Sequence, residues 1–198
     1  MTDHFTVLGE PRHPWLDPEL LKEKFLAISA MVHPDRVHNL PPAEQEKAQQ
    51  SYTELNAAYN CLREPRLRLR HLLELELGAK PSDLTQVRED LMNIFLKIGK
   101  TLREVDVFLG EKQQASSPLI KVQLFERGME WRETLGQLQQ HVGSQRGQLI
   151  EELKALDSTW HSPAGPNLLA KLENLYRLFS LYDRWLAQLQ ERNAQLSF

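Results

Sequence analysis

The chain is poor in cysteine and glycine, and strands of alternating apolar and polar residues are almost missing. Cys61 is its single cysteine, which excludes an intrachain disulfide and a zinc site built on cysteines. That usage fits a reducing, cytoplasmic setting. No apolar run approaches the ~18 residues that suggest a membrane helix, so no membrane partner is expected. A basic excess is also lacking. The net charge of -3 argues against nucleic acid as the main partner, because binding it needs a basic footprint. The start, "MTDHFTVLG", has neither the layout of a signal peptide nor the Arg/Ser-rich character of a transit peptide. No Gly-rich phosphate loop, G-x-S-x-G elbow or H-E-x-x-H helix occurs, so an enzyme reading has no catalytic residues and no cofactor to stand on.

What is present is leucine at helical spacing. Hydrophobic residues at 41% and charged residues at 26% exclude a disordered or membrane-like composition. Over 198 residues they suit one ordinary domain or two small ones. Apolar residues recur at steps of three and four, which predicts an all-α protein. Asp17 and Pro18 in "WLDPELLKEKFLAISAMV" are an N-cap and a first-turn proline. The stripe Leu21, Phe25, Ile28 and Val32 follows, and Pro34 disfavours α conformation at His33 and so ends the helix. A second helix is expected over 43–63, with Ala48, Tyr52, Leu55, Tyr59 and Leu62 on one face. Two stripes joined by a short connection pack as an antiparallel hairpin with "HPDRVHN" at its solvent-exposed tip. "HFTVLG" is a candidate short helix before it, and "PRLRLRHLLELELG", closed by Gly78, one after it.

"AKPSD" marks a boundary, giving an N-terminal domain over 1–78 and a C-terminal one over 79–198. The second predicts three long helices in an up-down-up bundle. The first carries Leu84, Val87, Leu91, Ile94, Phe95, Ile98, Leu102, Val105 and Phe108. The second, over 118–157, carries Val122, Phe125, Met129, Leu135, Leu138, Val142, Leu149, Leu153 and Leu156. Its glycines 128, 136, 143 and 147 each cost about 1 kcal/mol in a helix interior, so a bend or break is expected near "GSQRG". The third has Leu168, Leu172, Leu175, Phe179, Tyr182, Leu186 and Leu189 at steps of 4 and 3.

His33, Pro34 and Asp35 form the most specific short motif. As metal ligands, His33 and His38 are badly spaced across a proline, and no second cluster supports Asp35, so no metal is expected. As a plain helix stop, the aspartate would bond its own backbone. The context favours a third reading. A capped amphipathic helix leads through Val32 to His-Pro-Asp and Arg36, and "LNAAYNCLREP" follows over 55–65. This resembles the J domain of DnaJ-type co-chaperones. The finer similarity is to the HscB family of iron–sulfur cluster assembly, through "DHFTVLGEP", "WLD", "RLRHLLELELG", the bundle behind them and Trp160 before its last helix.

The resemblance implies a docking loop for a DnaK/HscA-family heat-shock chaperone, with Asp35 coupling and His33 and Pro34 positioning it. Proline limits the entropy lost on docking, and an acceptor-only carboxylate suits an arginine on the partner. Arg36, Lys22 and Lys24 supply the charge. The basic residues usual just before the tripeptide are replaced here by Ala30 and Met31. The resemblance also implies contact with an iron–sulfur scaffold protein through Leu91, Met92 and Phe95 on the first bundle helix. The acidic positions of that family motif fall on Leu96, Gly99 and Arg103, so a different client stays open, as does a helical interaction module without chaperone activity. Residues at such spacing also serve as core. Arg63, Arg66, Arg68 and Arg70 are expected to be a solvated set, and Cys61 a buried thiol.

Overall fold

A computed structural model of the chain describes residues 2–33, 41–81, 89–115 and 117–196. The described residues are all-α, with no strand among them. Helix α1 (His4–Leu8) is opened by Asp3, whose Oδ1 accepts from the backbone N–H of Phe5 and Thr6. Gly9 closes it at φ 62°, a left-handed conformation that costs glycine little. Helix α2 (Pro18–Val32) starts as its sequence predicts. Asp17 accepts from Glu19 and Leu20, and Pro18 occupies the first turn. Helix α3 (Pro42–Arg63) is followed at once by α4 (Pro65–Leu77), which ends at Gly78 with φ 69°.

Two ring pairs fix the sense of the α2–α3 packing. Phe25 stacks on Tyr59 at 4.2 Å between centroids, and His33 meets Tyr52 edge-on at 5.1 Å. Going forward along α2 means going backward along α3, so the hairpin is antiparallel. Helix α1 packs mainly on α3, and Phe5, Leu8, Leu21, Leu55, Ala58, Leu62, Leu69, Leu72 and Leu73 are all buried.

Three long helices follow: α5 (Glu89–Gln114), α6 (Pro118–Asp157) and α7 (Pro166–Gln195). The chain divides into two compact units. One holds Met1–Ser82 with Glu151–Tyr176, and the other holds Asp83–Ile150 with Arg177–Phe198. The division therefore falls inside α6 and α7 as well as after α4. In the second unit Ile98, Leu102, Val105, Phe108, Leu135, Leu138, Val142, Phe179, Trp185 and Leu189 are buried. Ion pairs Arg146–Asp183 and Arg192–Asp106 lie around them.

Two expectations about α6 fail. The break near "GSQRG" is absent, because α6 is one helix from 118 to 157. A Cβ added at Gly136, Gly143 or Gly147 would meet nothing within 4 Å, so these glycines make no turn or close approach. Burial of Leu138, Val142, Leu149 and Leu153 on either side offsets their helix cost. The register of the first turns is also different. Val122, Phe125 and Met129 are exposed, whereas Leu124 and Gly128 are buried. Counting back from Leu135 in steps of four, three and four reaches Trp131, Gly128 and Leu124. A scan for apolar side chains passes over the glycine and takes the wrong phase.

Candidate functional site

The end of α2 is where the His-Pro-Asp motif begins. His33 is the C-cap of α2, with φ −62° and ψ 130°, the extended conformation expected before a proline. Its ring is half-buried against Tyr52. Pro34, Asp35 and Arg36 lie outside the described residues, as does His38. On α2 itself Lys22 is exposed. Lys24 is already engaged, since its Nζ donates to the Gly9 carbonyl at 2.6 Å and to Glu10 at 2.9 Å. It compensates the carbonyl end of α1, a structural task that sequence reading did not assign to it. Met31, in the last turn of α2, is 66% exposed.

Behind the hairpin, the segment between α1 and α2 is held by buried polar contacts. Arg68 of α4, expected in solvent, is only 2% exposed. Its Nε donates to the Pro14 carbonyl at 2.7 Å and its Nη1 to the Leu62 carbonyl. Its guanidinium also faces the Trp15 ring at 5.8 Å. Burial pulls its pKa down to about 10, partly opposed by Asp157, so it stays charged at neutral pH. The expectation for this residue fails because charge spacing says nothing about the carbonyls that folding turns toward it, Pro14 from 54 positions away and Leu62 from the end of α3. Asp157 accepts from the Trp15 N–H at 3.0 Å and pairs with His13 at 3.1 Å. Trp160 is buried and donates from Nε1 to the Arg12 carbonyl at 2.8 Å. The loop tryptophan is thus an anchor for residues 12–15.

The candidate client residues lie on α5. Leu91 is half-buried, Met92 is 38% exposed and Phe95 is 41% exposed, its ring 6.4 Å from that of Trp185. Leu96, which sequence reading noted only as a missing acid, is 57% exposed beside them. Met92, Phe95 and Leu96 follow at steps of three and one, so they share one face of the helix. Further along, Ile98, Leu102 and Val105 take over as core. The structure therefore separates an exposed apolar row from the buried stripe that continues it.

Another group could be found only in three dimensions. His4 of α1, Cys61 of α3 and His71 of α4 each bring a ligand-type atom within 4.8 Å of the others. They sit at positions 4, 61 and 71, and no spacing motif connects them.

The described elements define an all-α protein with an N-terminal J-type helical hairpin and a C-terminal bundle of three long helices. No protein-family model matches the chain. Over 72 residues the chain is 42% identical to the co-chaperone protein HscB homolog of Bordetella petrii and 43% identical to that of Bordetella pertussis. The aligned part is 36% of this chain and 42% of each relative, so the match spans less than half of the relatives' length. Among solved structures, chaperone HscB from Vibrio cholerae superposes with a TM-score of 0.68. That match covers 99% of this chain and 100% of that one at 19% identity. Human co-chaperone HscB gives 0.63 over 98% and 81% of the two chains at 17% identity. The chain is HscB-like, by sequence over those 72 residues and by fold over nearly its whole length. No helix among the described residues is long and apolar enough to cross a membrane.

Proposed function

We propose that this chain is a non-enzymatic co-chaperone of iron–sulfur cluster assembly. Its N-terminal domain, over 1–78, stimulates ATP hydrolysis on a DnaK/HscA-family chaperone through His33, Pro34 and Asp35. Its C-terminal bundle, over 79–198, presents an iron–sulfur scaffold protein as client through Met92, Phe95 and neighbours. The observation that carries the reading is the 42–43% identity to HscB homologs. It is supported by a His-Pro-Asp whose histidine is the extended cap of α2 and which precedes α3 in the chain. The assay is steady-state ATP turnover by a DnaK/HscA-type chaperone. The chain should raise turnover and Asp35→Asn should abolish the rise. Equal stimulation by Asp35→Asn, or none by the parent, rejects the reading.

A second reading, a co-chaperone for another client, is favoured by Leu96, Gly99 and Arg103, which stand where the scaffold contact of the family has acids. Stimulation that scaffold protein does not increase further would select it.

A further inference from the structure

The His4–Cys61–His71 cluster lies within the N-terminal unit and takes no part in the proposed docking. It is the one group of three metal-ligand side chains that approach this closely among the described residues. The two imidazoles are 4.5 Å apart between centroids and tilted by 36°. Ring packing accounts for that contact, but it does not account for His4 Nδ1, which is buried without a hydrogen-bond partner. Cys61 Sγ makes one long contact, 3.6 Å to the Leu67 carbonyl. Burial holds both histidines below their ordinary pKa, which favours the uncharged form that ligates, and it pushes the Cys61 thiol up to about 11, so the metal itself must displace the thiol proton.

We propose that His4, Cys61 and His71 bind one borderline-soft divalent cation, of the zinc type, leaving one position for a solvent ligand. Two nitrogens and a sulfur suit such an ion, and tetrahedral bonds would set the ligand atoms about 3.5 Å apart. The cluster therefore closes by roughly an ångström. On binding, the Cys61 S–H bond breaks, its proton passes to solvent and the sulfur lone pair goes to the metal. The histidines contribute lone pairs and no protons.

His71 Nε2 now accepts from the His4 backbone N–H at 3.0 Å. If Nε2 ligates, that lone pair is taken. If Nδ1 ligates, Nε2 carries the proton and becomes a donor near Asp3 Oδ1, 3.9 Å away. Either way the hydrogen bond from His4 is given up, so metal binding and this bond exclude each other.

The test uses the full chain. Zinc is titrated against a competing chelator, and cobalt(II) serves as the spectroscopic stand-in. The proposal expects one equivalent bound, a thiolate-to-cobalt charge-transfer band that zinc removes, and a shifted His4 amide resonance. Cys61→Ser should abolish the band, and both Cys61→Ser and His4→Gln should weaken zinc binding by roughly tenfold or more. Melting curves without metal check that each variant folds. Should one fail, zinc protection of Cys61 from alkylation in the parent decides instead. Absence of binding at micromolar zinc, binding without the band, equal affinity in a folded variant, or no protection overturns the site.

Discussion

Arg68 turns a charge into scaffolding. It donates to two carbonyls, on Pro14 and Leu62, and so fixes the α1–α2 segment onto α4. Arg68→Met keeps the bulk and orphans both carbonyls, which should cost about 2–4 kcal/mol in urea denaturation. A loss under about 0.5 kcal/mol would show that the carbonyls find water instead. His4 and His71 act through their neutral forms. Desolvation lowers both pKa values, helped at His71 by the neighbouring His4 and opposed at His4 by Asp3. The unfolded chain then binds more protons around the ordinary value of 6.5. Stability is full above that value and is lost as pH falls below it, through the lowered values of the folded state. In chelator-treated samples the melting temperature should drop between pH 7 and 5, and His71→Gln, which can still accept from His4, should flatten the drop. An unchanged slope would place the titration elsewhere. At this scale the caps were legible in the sequence, since Asp17, Pro18 and Gly78 act on neighbours a few residues away. Arg68 and the 4–61–71 cluster were not, because each depends on a partner that folding brings from a distant position, Pro14 to Arg68 and His4 to Cys61 and His71.

Helices themselves were well marked, because each long one has its own apolar period, and α6 and α7 also begin at a proline. What a period cannot register is a glycine on the buried face, and Gly128 hid the phase of α6 for its first turns. The glycines at 143 and 147 carry the opposite lesson. A bend or break was expected near them, yet each lies inside continuous helix with open space where a Cβ would stand. Gly143→Ala and Gly147→Ala should therefore stabilise the protein by roughly 0.5–1 kcal/mol each, raising the melting temperature by about 2–4 °C per kcal/mol. A destabilised alanine variant would mean that the helix is locally opened at these positions. The contrast is Gly78, which also has open space around it but sits at φ 69°. Gly78→Ala should cost about 1 kcal/mol because the strain is in the backbone. Identical effects at 78 and 143 would show that conformation, and not side-chain room, had been misjudged.

For the whole molecule, the proposed co-chaperone needs two separable activities, and the exposed row on α5 is where they can be parted. Met92, Phe95 and Leu96 present apolar surface at the start of the bundle, whereas Ile98, Leu102 and Val105 of the same helix are buried. Sequence period alone placed Leu91, Phe95 and Ile98 in one stripe. It could not say where burial stops, because that depends on how far the neighbouring helices reach. Polar replacement of exposed side chains typically changes stability by no more than about 0.5 kcal/mol. Apolar anchors at an interface commonly cost more than about 1 kcal/mol each when truncated, so losing two weakens binding by tenfold or more. The double variant Met92→Ser, Phe95→Ser should keep the parent's melting temperature and its stimulation of a DnaK/HscA-type ATPase. It should lose the extra stimulation that a scaffold protein adds to the parent. The reverse pattern belongs to Asp35→Asn, which should lose stimulation and still bind scaffold in a pull-down. Retained scaffold synergy in the double variant would move the client contact off this face. Joint loss of both activities in a well-folded variant would mean that docking and client binding share one surface, against the two-domain division of labour proposed for the chain.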